Sequence, residues 1–158
     1  MGPAMVYDIK TRKLSSQRTA VVRVVSSSAE IGETLRRVLG EVADSLARQG
    51  VEPSGHPFAR FFDYTAEQAD FEAGFPVSGP VRAEGRVEPG ELPEGRAAMT
   101  VHRGRYEDLQ SAHDALGEWV LAHDHDPGGP VWEVYVTGPA QGDDPAKWEI
   151  EVVWPLRK

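Results

Sequence analysis

Over residues 29–49, apolar side chains recur at steps of three and four: Ile31, Leu35, Val38, Leu39, Val42 and Leu46. That spacing predicts an amphipathic helix with one stripe against a core. Ser27 and Glu30 stand at capping-box spacing ahead of it, and Gly50 suits a left-handed stop behind it. A second stripe runs through Tyr106, Leu109, His113, Leu116 and Val120, with Gly104 as its expected cap. The intervening stretches read as strands: 5–14 and 19–25 before the first helix, 57–64 and 70–77 after it, 81–88 and 96–102 before the second, and 131–137 and 147–154 after that.

The order of elements therefore repeats. Each half reads strand, strand, helix, strand, strand, and the tails 70–77 and 148–156 both carry acidic residues before an aromatic, a proline and an aliphatic, Phe75-Pro76-Val77 and Trp154-Pro155-Leu156. An internal duplication is expected, with repeat one over about 5–79 and repeat two over about 80–156 of a single domain spanning 1–158. Two β-rich halves that must each bury a helix predict an α+β fold with pseudo-twofold symmetry and a ligand cleft between the repeats. Residues 89–95 and 124–130 are rich in proline, glycine and acids and read as loops.

Composition narrows the chemistry. The 158 residues contain no cysteine, so disulfides, thiolate zinc sites and thiol nucleophiles are excluded, leaving oxygen, imidazole and aromatic groups. A net charge of -8 without a Lys/Arg cluster argues against direct nucleic-acid binding and favours cations. No run approaches the roughly 20 apolar residues of a membrane-spanning helix, and the start lacks a secretory pattern, so a cytoplasmic location is expected.

Several ordered motifs carry a resemblance: Leu92-Pro93-Glu94-Gly95-Arg96, His102-Arg103-Gly104-Arg105-Tyr106, Leu109, Trp119, Trp132-Glu133-Val134-Tyr135, Trp154-Pro155-Leu156 and the 71–77 segment Phe-Glu-Ala-Gly-Phe-Pro-Val. Together, over roughly 5–156, they resemble the gyrase-inhibitor-like (GyrI-like) effector-binding domains. The resemblance implies a duplicated fold whose cleft takes lipophilic, often cationic drugs and dyes by aromatic stacking and by pairing with a buried glutamate, here Glu133, without a cofactor. In many such proteins the domain follows a DNA-binding module; this chain begins almost directly at its first strand, so no such module is expected. Other members resemble toxin-sequestering or gyrase-inhibiting proteins, and a subset hydrolyses cyclopropane-bearing DNA-alkylating compounds.

Read residue by residue, Glu133 sits within a short strand, where a lone buried carboxylate requires a partner or a cationic ligand; a solvent-facing strand glutamate is the alternative. Strand alternation places Val131, Glu133 and Tyr135 on one face and Trp132, Val134 and Val136 on the other. Tyr135 can thus brace Glu133, stack on a ligand or donate a proton, or simply fill the core. Tyr106 opens the second helix as a cleft or core residue. Phe58, Phe62 and Tyr64 share one strand face opposite Phe61 and are candidates for a pocket wall. His102 and His113 flank the Gly104-Tyr106 motif and are candidate acid–base groups, but no Ser-His-acid signature accompanies them. Trp119, Trp132 and Trp148 read as packing residues. His123-Asp124-His125-Asp126 reads as a solvated loop rather than a metal site.

Three functions follow as expectations. The first is a multidrug-binding protein that takes cationic aromatic compounds, with Glu133, Tyr135, Tyr106, Phe62, Tyr64, Phe58 and His102 as its ligand-binding set. The second is a cofactor-independent hydrolase of electrophilic cyclopropanes, with Glu133 as base and Tyr135 or Tyr106 as acid. The third is a protein-interaction module such as a gyrase inhibitor.

Overall fold

The computed structural model describes residues 7–105, 108–137 and 148–157. These fall into two compact units, one formed by Ser15–Glu94 and the other by the described residues through Leu14 together with those from Gly95 onward. Each is an antiparallel four-stranded sheet with one helix, giving the α+β class.

In the first, β2 (Gln17–Ser27), β3 (Phe58–Tyr64), β4 (Gln68–Pro76) and β5 (Glu88–Leu92) lie in the order β3-β4-β2-β5. Helix α1 (Ile31–Gln49) buries Val38, Val42 and Leu46, while Ala20, Val22, Phe71 and Ala73 supply buried apolar positions on β2 and β4. Removing each valine or leucine from water contributes about 1.5–3 kcal/mol. Gly50 stops the helix at φ 68° and donates its N–H to Ala47 O. The start differs from expectation. Ser27 makes no capping bond and the chain enters through a 3-10 turn, Ser28–Glu30; the neighbouring Ser26 hydroxyl instead meets Thr34 at 3.1 Å, and Ser28 bonds Thr65 O. Gly74 allows β4 to press against β2, since a Cβ there would lie 1.8 Å from Ala20 O.

The other unit orders β1 (Lys10–Leu14), β6 (Gly95–Arg103), β8 (Glu149–Pro155) and β7 (Val131–Tyr135) as β1-β6-β8-β7. Helix α2 (Leu109–Ala122) packs its Ala112, Leu116 and Val120 on Ala98, Ile150 and Val152. Asp108, not Gly104, occupies its N-cap position.

The units do not coincide with the halves of the sequence. Strand β1, from the N-terminal half, pairs with β6, and β5, from the C-terminal half, pairs with β2. The expected strand over 81–88 is also displaced: apart from a bridge at Glu84 and Val87, the paired segment is β5, which includes part of the 89–95 stretch read as a loop. Pro89 is accommodated there because β5 ends the strand order, and an edge position tolerates a missing N–H. Among the described residues no helix is long and apolar enough to cross a membrane.

Candidate functional site

Glu133 lies in the middle of β7, directly across from Val152 of β8, and Tyr135 lies across from Ile150. Paired residues share a sheet face, so both project to the side covered by α2. There Glu133 is 7% exposed. Burial of a carboxylate at this depth requires donors, and two neutral-capable groups supply them: Tyr135 O–H donates to Oε1 at 2.9 Å, and His113 Nε2, from α2, lies 2.7 Å from Oε2. Each oxygen thus receives one hydrogen bond.

Trp154 fixes the protonation state of His113. Its indole nitrogen lies 3.1 Å from His113 Nδ1, and an indole N–H can only donate. Nδ1 must therefore be the unprotonated nitrogen, Nε2 carries the hydrogen, and the imidazole is the neutral Nε2–H tautomer. Gly117 of α2 faces the indole, where a Cβ would stand 3.4 Å from Trp154 Cη2, at van der Waals contact. Among the described residues no lysine or arginine pairs with Glu133, so the buried carboxylate is held by neutral donors.

The described histidine on β6 is arranged differently. His102 is completely buried, with Nε2–H donated to Arg105 O at 2.8 Å and Nδ1 3.0 Å from Tyr7 Oη. Burial raises the Tyr7 phenol above its ordinary range and Asp108 reinforces the rise, against a hydrogen bond from Ser111. With Nε2–H given to Arg105 O, Nδ1 of the neutral ring accepts and the Tyr7 hydroxyl donates to it.

Comparison with known proteins decides the family. A model described as the GyrI-like small molecule binding domain matches residues 51–157. The chain belongs to the GyrI-like family. Among curated proteins none matches it by sequence. Among solved structures, the GyrI-like fold of this chain is similar to the EcmrR C-terminal domain, with TM-score 0.90 at 19% identity, covering 98% of this chain and 99% of that one. In the EcmrR–DNA complex the same likeness gives TM-score 0.87 at 19% identity and covers 96% of this chain, which spans only 58% of that longer chain. SAV2435 bound to tetraphenylphosphonium follows with TM-score 0.67 at 13% identity, covering 97% of this chain and 94% of that one. A hydrolase from Listeria innocua gives TM-score 0.64 at 11% identity, covering 94% and 91%. At these identities the likeness establishes the fold, and the family establishes a small-molecule-binding domain.

The other sequence-chosen residues of this GyrI-like domain are dispersed. Tyr106 lies outside the described residues. His102, chosen as a ligand contact, is instead a core histidine with both ring nitrogens occupied, and Phe58 is likewise buried at 1% exposure. A β-bulge between Phe61 and Asp63 shifts the phase of β3, so Phe58, Phe62 and Tyr64 do not share one face. Tyr64 comes beside Phe61, ring centroids 6.3 Å apart, while remaining largely exposed. Phe62 is covered by the guanidiniums of Arg23, 4.1 Å from its centroid, and Arg60, at 5.3 Å. Trp132 is buried on the face away from Glu133, as alternation requires. Trp119 stacks on His123 and His125.

Two site residues escaped the sequence reading. His113 appeared there in an apolar helical stripe and, with His102, beside the Gly104-Tyr106 motif, but it was not placed in the ligand-binding set; a histidine in an apolar stripe is the signal that could have put it there. Trp154 was recognised only as part of a tail motif. Cavities of about 310 Å³, beside Ser26, Thr34 and Arg37, and about 270 Å³, beside Thr19, Pro80 and Pro89, occur in the α1-containing unit; neither has Glu133 on its wall.

Proposed function

We propose that this GyrI-like domain binds lipophilic aromatic cations at Glu133. The observation that carries the reading is a buried carboxylate held by Tyr135 and by a histidine that Trp154 keeps neutral. Burying a charge costs far more than two neutral hydrogen bonds return, and a cationic ligand offsets the remainder. Tyr135 and Trp154 add aromatic faces for stacking and for cation–π attraction, which tolerate many ligand shapes. Tetraphenylphosphonium on SAV2435, a protein of the same fold, is a ligand of this chemical kind and supports the choice. Calorimetric titration with tetraphenylphosphonium tests it: saturable binding competed by rhodamine 6G is expected, and absence of heat and of competition at millimolar ligand contradicts it.

A second reading, hydrolysis of an electrophilic cyclopropane, is supported by the contact between a carboxylate and a phenol, Glu133 and Tyr135. Water would add to a cyclopropane carbon as the ring C–C bond breaks toward the conjugated carbonyl; Glu133 would take a proton from that water and Tyr135 would donate one to the carbonyl oxygen, which stays in the product as a hydroxyl. Chromatography after incubation with a cyclopropane-bearing alkylating compound separates the two: multiple turnovers lost in Glu133→Gln favour hydrolysis, and an unconsumed compound favours binding alone.

A further inference from the structure

We infer that His113 is a proton gate on the Glu133 site, closing it to cations when the imidazole becomes charged. This rests on the cation-binding reading and adds its regulation. The geometry is a directed chain in which Trp154 Nε1–H points at His113 Nδ1, 3.1 Å away, and His113 Nε2–H points at Glu133 Oε2, 2.7 Å away. In this state His113 positions the carboxylate and leaves its charge intact.

A second proton has one place to go, Nδ1, and that lone pair is already used by a group that cannot accept a hydrogen bond. Protonation therefore breaks the Trp154 contact and sets two N–H groups against each other. The histidine then carries a positive charge in direct contact with Glu133, the pair becomes neutral, and a ligand cation loses the net attraction it met before. The gate thus has two coupled parts, the Glu133 charge and the Trp154 ring, whose centroid lies 6.1 Å from that of His113.

Other groups around His113 do not substitute for it. On the helix-facing side of the sheet, β7 presents Glu133 and Tyr135, β8 presents Ile150, Val152 and Trp154, and β6 presents Ala98, Thr100 and His102. His102 is enclosed with both nitrogens bonded, and Tyr7 joins it there. On α2 itself, Asp114 is paired with Gln110 and Glu118 is a further acid. His113 is the imidazole in contact with the carboxylate.

The test measures rhodamine 6G affinity of the full chain between pH 8 and pH 5.5 for the wild type, His113→Gln and Trp154→Phe. Rhodamine 6G keeps its charge across this range. Glutamine retains a donor toward Glu133 without titrating. The wild type should lose about tenfold or more in affinity as pH falls, the scale of a unit charge placed a few ångströms from another in a protein interior. His113→Gln should stay within about threefold, and in Trp154→Phe the loss should begin at higher pH because the opposing donor is gone. Long-range imidazole nitrogen spectra of the unliganded chain should show His113 as the Nε2–H tautomer at pH 8. Binding at pH 8 with the same acid loss in His113→Gln overturns the gate alone; an Nδ1–H tautomer does so too. Failure of the wild type to bind the dye at any pH overturns the cation-binding reading, and the gate with it.

Discussion

The Tyr135 hydroxyl donates to Glu133 Oε1 at 2.9 Å from two positions along the same strand. The contact requires only strand alternation, so local sequence carries half of the carboxylate's support. The other half comes from His113, twenty residues earlier, on the helix above.

Removing the phenol separates support from ligand attraction. Tyr135→Phe should lower stability by about 1.5–3 kcal/mol, the usual worth of a hydrogen bond to a charged group, and leave rhodamine 6G affinity within about threefold. Urea denaturation and dye titration check the two parts. A collapse of dye affinity at unchanged stability would make Tyr135 a ligand contact first.

His102 should behave as a core residue. His102→Ala removes the ring that bonds Tyr7 Oη and Arg105 O and opens a cavity, with an expected loss of about 2–5 kcal/mol by urea denaturation. Dye affinity of the remaining folded fraction should be unchanged.

Gly74→Ala should cost about 3 kcal/mol or more, because the new Cβ would lie 1.8 Å from Ala20 O and the β2–β4 pairing must open to admit it. Thermal unfolding of the variant checks this, and a wild-type midpoint would contradict the close approach.

Glu72 gives a pH dependence of defined sign. Burial raises its carboxyl above the usual range, against the pull of Arg60. The folded state therefore holds the proton more tightly than the unfolded state, so the contribution from Glu72 is fully present below the unfolded value and is lost as pH rises through the folded one. Glu72→Gln removes that loss. The stability of the variant relative to wild type should accordingly increase between pH 4 and pH 7 in urea denaturation; a decrease would reverse the sign.

What the sequence revealed and what it hid have physical reasons. Helix α1 was legible because Val38, Val42 and Leu46 repeat at the helical period and Gly50 supplies the left-handed stop. The placement of Tyr135 beside Glu133 was legible because a strand has period two. Strand β5 was not, since Glu88-Pro89-Gly90-Glu91-Leu92 has neither alternation nor β-branched residues, and its pairing with β2 defines it. Tyr64 was misplaced because the bulge at Phe62 reverses the facing beyond it and turns Tyr64 to the side of Phe61, while Phe62 keeps to the side of Arg60 and Arg23. The His113 contact needed the packing of α2 on β6 and β8, a distance relation that no local pattern contains. Trp154 was hidden for the same reason, its indole being aimed across the unit at Nδ1.

The central claim is that Glu133 supplies charge to the ligand, and the most direct measurement compares Glu133→Gln with wild type against two ligands of matched shape, tetraphenylphosphonium and neutral triphenylphosphine oxide. The account predicts that the substitution weakens the cation by about tenfold or more and the neutral compound by less than about threefold, in protein whose circular dichroism is unchanged. Equal weakening of both, or none, would contradict charge pairing at Glu133.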